Sequence, residues 1–440
     1  MQLLIEKLVY GGDGLTRLPT DETGRGKTVF VPFVIPAETV EATISEMRSG
    51  FARARLDDIV TPAPERVEPG CPCFGGCGGC QYQHIGYEAQ LRYKAEILRE
   101  TLRRTAKLEL RTEIQTHSAE PWHYRNRTQM RLQHAPKFQL GYYRHNSHEL
   151  LPVEQCPISS PLINQAIRAV WTLGGEKQVP QPVHGIQFFA NQDDQQMLAE
   201  LYVRPGSGTK ECQPFAAELH TLLPAIQGIV VFESSPAEED SRQFAPLTSV
   251  HSERGQPIGS DSLMYRVADH DFAVHAGSFF QTNRFLVGEL MRIAVGNHKG
   301  RAALDLYSGV GLFTLPLSLR FDQVLAVEAS PQSFADLRRN VPTNVQAIRA
   351  TTEAFLAERG PKLAPDLVLV DPPRGGLGEK AARALGRMSV PRVTYVSCDP
   401  ATLARDLRPL LESGFRVEHA HLVDLFPQTA HLETVLHLVR

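Results

Sequence analysis

From about Phe272 onward the chain repeats one pattern: an apolar run, a turn, an amphipathic run. RAALDLYSGVG reads as a strand and a glycine loop, and LFTLPLSLR as the helix after it. QVLAVEAS and PQSFADLRRNV repeat strand then helix, and DLVLVDPPRGG and RVTYVSCDPATLARDL repeat strand, turn and helix again. FRVEHAHLVDLFPQTAHLETVLHLVR closes with two strand-like runs. Few folds accept this order. Strands separated by helices pair in parallel, because a parallel neighbour needs a crossover long enough to return the chain. The pattern predicts a Rossmann-like, doubly wound α/β domain over residues 268–440, with its site at the carboxyl ends of the strands.

Those strand ends carry acids, glycines and one thiol. Asp305 ends the first strand, Gly309, Val310 and Gly311 form the loop, and Glu328 ends the second strand 17 residues after Gly311. Glycines let the backbone approach a ligand closely, and an acid at that spacing reaches a ribose diol. The third glycine of a dinucleotide fingerprint is replaced by Thr314. Asp305 beside the loop favours a positively charged sulfonium over a pyrophosphate, so the ligand indicated is a methionine-derived methyl donor. Asp371 follows DLVLV in DPPR, where two prolines stiffen the loop. Cys398 follows RVTYV in SCDP. A thiol at a sheet edge facing the cleft, near a helix N-terminus, is predicted to have a lowered pKa and to act as a nucleophile.

A thiol beside a methyl donor suggests one chemistry. Carbon 5 of uracil is a poor nucleophile, but thiolate addition at carbon 6 makes an enolate whose carbon 5 can attack a methyl group. A base must then remove the carbon 5 proton, so that elimination frees the thiol. Glu433 is the base candidate, with His431 orienting it or touching substrate.

Upstream the periodicity changes. Residues 1–60 hold β-rich runs, LLIEKLVY and TVFVPFVIP, around the turn signal GGDG, and predict a five-stranded barrel. FARARLDDIV sets Arg53 and Arg55 on one strand face. TPAPERVEPGCPC is a Pro-rich connector, and GYEAQLRYKAEILRETLRR has a helical pattern. Residues 119–267 read as mixed β structure with small helices, and SSPAEEDS as an exposed loop. The whole of residues 61–267 is expected to form a central α+β domain. The formal net charge of -3 excludes a globally basic nucleic-acid binder, but it hides opposed regions. Residues 91–144 hold 12 Lys and Arg against 5 Asp and Glu, whereas residues 188–270 hold 5 against 12. The basic stretch interleaves aromatics, as in WHYRNR and KFQLGYYRH, which suits a surface that follows a phosphate backbone and stacks bases.

Four of the 7 cysteines lie between Cys71 and Cys80. Glu6 and a Gly-Gly turn interrupt the N-terminal apolar run, so no signal peptide is expected, and no uncharged apolar stretch approaches about 18 residues. A reducing, cytoplasmic setting follows, in which clustered cysteines bind metal or do chemistry. Cys71, Cys77 and Cys80 have the spacing C-x5-C-x2-C, with Cys156, Cys73 or His84 as the fourth ligand. Four thiolates suit a [4Fe–4S] cluster or zinc, and the Cys-Pro pair at Cys156 is common at iron–sulfur ligands.

Together these residues resemble the bacterial RNA uracil-5-methyltransferases that carry a TRAM domain and a [4Fe–4S] cluster, most of all those acting on 23S rRNA. The segments that carry the resemblance are IEKLVYGGDGL, VFVPF, CPCFGGCGGC, YRNR, AGSFFQTN, DLYSGVGLFTLPL, DPPR, SCDP and HLE, spread over the full length. The resemblance implies a TRAM barrel, OB-like and RNA-binding, over residues 1–60. It implies an iron–sulfur-containing central domain over 61–267, discontinuous in space and with an RNA-contacting surface. It gives the cluster to Cys71, Cys77, Cys80 and Cys156, the nucleophile to Cys398 and the base to Glu433. Gln281, Tyr307, Glu328 and Asp371 would line the S-adenosyl-L-methionine and uracil pocket. Leu312, Thr351 or Thr352, and the spare Cys73 depart from the family pattern. The implied activity is methylation of a uridine in 23S rRNA by a single chain acting alone. The competing readings are the same reaction on uridine 54 of tRNA, a non-catalytic metal-bound RNA-binding protein, and a nicotinamide oxidoreductase.

Overall fold

The computed structural model describes residues 1–18, 26–207, 210–234 and 258–440; SSPAEEDS lies outside them after Ser234. They form two compact units. The first holds Met1–Glu100, Tyr143–Glu149 and Phe426–His431. The second holds Thr101–Tyr142, Leu150–Leu425 and Leu432–Arg440.

The first unit is built on a curled, OB-like sheet of β1 (Gln2–Leu4), β2 (Lys7–Leu8), β3 (Gly14–Arg17), β4 (Thr28–Val31), β5 (Thr39–Met47) and β6 (Phe51–Thr61), in the order β1-β5-β6-β4-β3-β2. LLIEKLVY is two strands because the chain changes partners inside it. The Ile5 N–H donates to the Glu38 carbonyl (2.9 Å), and the Glu6 N–H to that of Leu15 (2.9 Å). Hence six strands stand where the sequence suggested five. Three register shifts between β5 and β6 bend the sheet, as bulges do. The alternation of β6 buries Ala52 and Ala54 against Val29, Val31 and Val40, and leaves Arg53 and Arg55 outside. A Cβ at Gly14 would stand 2.3 Å from Val34, so only glycine lets these segments meet. Helix Tyr87–Thr101 buries Ala89, Tyr93 and Ile97, one stripe at i, i+4 spacing, against Leu8, Ile35 and Ala430.

In the second unit, β8 (Arg127–Gln133), β9 (Gln139–Tyr143), β10 (Leu150–Pro152), β11 (Val183–Ala190), β12 (Met197–Val203), β13 (Ile226–Glu233) and β14 (Ile258–Gly259) form one sheet, in the order β10-β9-β8-β11-β12-β13-β14. Helices Pro161–Gly175 and Gln213–Leu222 belong to the same stretch. Every residue of β11 and β12 is buried, as expected of strands covered on both faces. A hairpin, β15 (Ser262–Val267) and β16 (His270–His275), leads to the last sheet. That sheet holds β7 (Ile114–His117), β17 (Gly300–Leu306), β18 (Phe321–Glu328), β19 (Val345–Arg349), β20 (Leu367–Val370), β21 (Arg392–Ser397), β22 (Arg416–Val423) and β23 (Thr434–Val439). Its order is β19-β18-β17-β20-β21-β23-β22-β7. β19, β18, β17, β20 and β21 are parallel, with helices between them, and β23 runs antiparallel between β21 and β22. The Rossmann-like architecture is as expected. The eighth strand, β7, comes from residues far upstream that carry no strand signal beyond four residues. The strand order reverses between β17 and β20, and such a switch point opens a crevice at the carboxyl ends.

Candidate active site

Strand register fixes which residues meet at that crevice. Leu306 pairs with Val327 on one side and Val370 on the other, and Val370 pairs with Tyr395. Tyr307, Glu328, Asp371 and Cys398 therefore leave neighbouring strands at the same end of the sheet. Ser397 pairs with Thr434 on the antiparallel β23, so Glu433 enters β23 where Cys398 leaves β21. The thiol and the carboxyl are brought side by side by one pairing across about 35 residues of chain.

The glycine loop needs its glycines. Gly309 and Gly311 have φ of 56° and 99°, and the space a Cβ would take at Gly309 is open. Tyr307 has φ of 62°, a left-handed conformation rare for an aromatic residue, and its hydroxyl donates to Glu353 Oε1 (3.2 Å). Glu328 is held by two backbone donors, the Gly309 N–H (2.8 Å) and the Ser330 N–H (2.6 Å). Asp305 is fully buried; its Oδ2 accepts from Thr314, and its Oδ1 has no hydrogen-bond partner among the described residues. Thr314, which breaks the dinucleotide fingerprint, thus has a job of its own. Burial, with Asp371 and Glu328 nearby, pushes the Asp305 carboxyl up to about 7, and burial pushes Asp371 up to about 7. Of the family departures in this domain, Leu312 is buried and Thr351 caps helix Thr352–Glu358 by accepting from the Ala354 N–H (3.2 Å).

The thiol corrects one expectation. Burial first, and then the Glu433 and Asp371 carboxyls, push the Cys398 thiol up, not down. The helix N-terminus that was expected to lower it is already occupied. Asp399 caps helix Pro400–Glu412, its Oδ1 accepting from the Ala401 and Thr402 N–H groups (2.9 Å each). Nor is β21 an edge strand, since it has partners on both sides. Glu433 is buried as well, and burial together with Asp371 pushes its carboxyl well up, opposed by Arg374. Burial thus disfavours the charged forms of Cys398, Glu433 and Asp371 alike, and Arg374 opposes it at Cys398 and Glu433. Arg374 and the capping role of Asp399 were not singled out in the sequence, although DPPR and SCDP contain both.

Gln281 is buried in the segment after β16. The backbone there is tied to the YRNR segment: the Asn126 N–H donates to the Thr282 carbonyl (3.0 Å), and the Arg284 N–H to that of Tyr124 (3.0 Å). His431 belongs to the first unit, where its ring packs on Phe426 at 5.7 Å, whereas Glu433 belongs to the second.

The metal cluster is not borne out. Among the described residues, no group of three or more His, Cys, Asp or Glu is placed to hold a metal ion. The Cys71–Cys80 loop is organised by its own backbone instead. The Phe74 N–H donates to the Cys71 carbonyl (3.0 Å), the Cys77 N–H to that of Cys73 (2.8 Å), and the Gly79 N–H to Cys77 Sγ (3.4 Å). Cys156 belongs to the second unit, its N–H and carbonyl both bonded to the Asn164 side chain (2.8 and 3.0 Å). His84 is buried with Nε2 on the Val34 carbonyl (3.3 Å) and its ring 5.5 Å from Phe74. Neither the [4Fe–4S] cluster nor zinc is carried further.

A doubly wound sheet with a glycine loop, buried strand-end acids and a thiol opposite a carboxyl defines a methyltransferase-type α/β domain, here preceded by a curled sheet. The profile of the tRNA (Uracil-5-)-methyltransferase family matches residues 86–440, and that of the TRAM domain matches residues 1–56. The chain is 32% identical over 445 residues to the 23S rRNA (uracil(1939)-C(5))-methyltransferase of Chromohalobacter salexigens, covering 100% of this chain and 89% of that one. It is 30% identical over 442 residues to an uncharacterized RNA methyltransferase of Aquifex aeolicus, covering 99% and 97%. The crystal structure of the Pyrococcus abyssi tRNA (uracil-54, C5)-methyltransferase superposes with a TM-score of 0.75 at 23% identity over the whole of both chains, which establishes the shared fold. The chain belongs to the tRNA (uracil-5-)-methyltransferase family, and is an S-adenosylmethionine-dependent RNA (uracil-5-)-methyltransferase with a TRAM domain. No helix among the described residues is long and apolar enough to cross a membrane.

Proposed function

We propose that the chain methylates carbon 5 of a uridine in 23S rRNA through a covalent adduct between Cys398 and carbon 6 of the base. The observation that carries this reading is the β21–β23 register, which sets Cys398 beside Glu433 with Asp371 one strand away. Gly309, Gly311, Tyr307, Glu328 and Asp371 would hold S-adenosylmethionine, with Gln281 at the uracil. The unpartnered Asp305 Oδ1 and the open space at Gly309 fit a cationic adenosyl ligand. When bound, that cofactor supplies an electrophilic methyl group.

Cys398 first gives its proton to solvent water, and then its sulfur bonds to carbon 6 while the ring electrons move to oxygen 4. Carbon 5 takes the methyl group with loss of a neutral thioether. Glu433, as carboxylate, removes the carbon 5 proton; the sulfur–carbon bond breaks, the ring double bond returns, and the thiolate is released. Because burial pushes both Cys398 and Glu433 up, the reading requires that binding raise their ionised fraction. A positive charge arriving beside three buried acids has that effect.

A uridine inside folded RNA must be unstacked to reach a thiol at a strand end. In the same proposal residues 1–60 and the RNA-facing part of 61–267 grip RNA, residues 268–440 perform the transfer, and a single cytoplasmic chain suffices. The full-length likeness to the Chromohalobacter enzyme supports ribosomal RNA as the substrate. The family description names tRNA, which keeps the same reaction on tRNA as the second reading. Labelled methyl transfer into 23S rRNA and tRNA, run side by side, tests the choice: label confined to 23S rRNA is expected, and label confined to tRNA overturns it.

A further inference from the structure

Residues 374–377 follow the two prolines of DPPR and form a turn whose backbone is bonded at every position. The Gly376 N–H donates to the Pro373 carbonyl (2.7 Å). The Thr402 hydroxyl donates to the Arg374 carbonyl (3.0 Å), Arg405 Nη2 to the Gly375 carbonyl (2.6 Å), and the Leu377 N–H to Asp406 Oδ2 (2.7 Å). Thr402, Arg405 and Asp406 stand at i, i+3 and i+4 of helix Pro400–Glu412, so they share one face, while Leu403, Leu407 and Leu410 bury another. Asp406 is the hub of this contact. It is fully buried; its Oδ2 also accepts from the Tyr395 hydroxyl of β21 (2.8 Å), and its Oδ1 from Arg405 Nε (2.9 Å). Gly376 has φ of 73°, and a Cβ there would stand 2.3 Å from Asp406 Oδ2, 2.6 Å from Arg405 Nη2 and 3.1 Å from Thr402 Cβ, so glycine alone fits. The same helix begins at the Asp399 cap, next to Cys398. The helix that starts beside the thiol thus also fixes the turn that carries Arg374.

The place of Arg374 matters because three carboxyls, Glu433, Asp371 and Asp399, disfavour the Cys398 thiolate and Arg374 opposes them. It favours the Glu433 carboxylate in the same way. The effect of one charge on another falls with distance, so a guanidinium on a loose turn would give less of it. Asp406 is paired with Arg405, and a buried pair is weak as a stabiliser; its presence here is accounted for by the geometry it imposes on the turn. We propose that Asp406 is a positioning residue of the reaction: with Thr402 and Arg405 it holds the 374–377 turn so that the Arg374 guanidinium stays at the strand ends where Cys398 and Glu433 meet. The inference rests on Cys398 being the nucleophile and adds what keeps the cation in place there.

The test uses the full chain without RNA. Alkylation of Cys398 by neutral iodoacetamide and by anionic iodoacetate is followed by mass spectrometry of the peptide that carries it. Arg374→Ala should slow the iodoacetamide reaction about 10-fold and lower the iodoacetate-to-iodoacetamide ratio about 3-fold, because both the thiolate and the anionic reagent lose a cation. Asp406→Asn should do nearly the same, although removal of an anion by itself has the opposite sign. Thr402→Val, which removes the hydroxyl bond to the Arg374 carbonyl, should lower the ratio about 2-fold. Added to Arg374→Ala, Asp406→Asn should change neither quantity further, because it acts through the cation already lost. General loosening of the fold would alter both reagents alike and leave the ratio where it was. Circular dichroism checks folding, and Thr402→Val decides where Asp406→Asn does not fold. An unchanged ratio in the folded variants, or full additivity of Asp406→Asn with Arg374→Ala, overturns the proposal. Methyl transfer that persists in Cys398→Ala would sink the nucleophile reading instead, so the two failures are separable.

Discussion

The eight-stranded sheet of the second unit buries two clusters of titratable groups, and burial acts on them in opposite directions. At the carboxyl ends of β17, β20 and β21, the Asp305, Asp371 and Glu433 carboxyls are pushed up. On β7, β22 and β23, His117 Nε2 lies 3.1 Å from His421 Nδ1, and the His421 and His437 rings are 5.6 Å apart. There burial, and then neighbouring histidines, lower His421 and His437 to about 4. The cause is the same in both: a low-dielectric interior disfavours the charged form, which is the deprotonated acid and the protonated imidazole. The surroundings differ. His117 is bonded to Glu289 (2.9 Å) and His437 to Thr394 (3.2 Å), so the histidine cluster is partnered within the chain. Among the described residues, the carboxyl cluster has an unpartnered oxygen at Asp305, and Arg374 opposes the upward shift of Glu433. Under the proposed function, the carboxyl cluster is the one that would meet a cationic ligand.

The two clusters give stability opposite dependence on pH. A carboxyl raised on folding stabilises fully below its unfolded pKa, and that stability is lost as pH rises through about 7 for Asp305 and Asp371. A histidine lowered on folding stabilises above its unfolded pKa, and that stability is lost as pH falls toward about 4 for His421 and His437. Substitutions in either cluster test this contrast. The largest effect is expected for Glu433→Gln, which should still form the RNA adduct but slow its release by about 10²- to 10⁴-fold. Prompt turnover by this variant, followed by quenched-flow capture of the adduct, removes Glu433 as the base. Asp371→Asn should lose activity yet gain about 1–3 kcal/mol of stability at pH 8, a gain that vanishes near pH 4. Denaturant unfolding at the two pH values reads it, and a loss of stability at pH 8 contradicts a carboxyl raised by burial. The smallest effect is expected for His437→Gln, which should reduce the loss of stability between pH 7 and pH 4 by about 1 kcal/mol. Thermal unfolding across that range measures it, and an unchanged acid limb removes His437 from the contrast.

The α/β half of the molecule was legible because its signals are local. Apolar runs, glycines and strand-end acids repeat at short spacing, and the order of the parallel strands follows from helical crossovers. The placement of Asp305, Gly309, Glu328, Asp371 and Cys398 at one end of the sheet followed from the same repetition. The eighth strand was not legible, since Ile114–His117 joins β22 over some 300 residues and its four residues carry no pattern long enough to read. The lowered thiol pKa was misjudged because the burial of Cys398, and the Glu433 and Asp371 carboxyls brought beside it, are set by strand pairing and not by the SCDP segment. The metal reading rested on cysteine spacing, the Cys-Pro pair at Cys156 and the family resemblance. In the fold, Cys71 to Cys80 form backbone turns and Cys156 belongs to the other compact unit.

The central claim is that Cys398 attacks carbon 6 of a uracil and so labilises the proton at carbon 5. It is tested most directly with RNA carrying tritium at uracil carbon 5, incubated with S-adenosylmethionine and either the unaltered protein or Cys398→Ala. Tritium should pass to water with the unaltered protein and fall at least about 10⁴-fold with Cys398→Ala, while RNA binding is retained. Release that persists without the thiol would contradict the account.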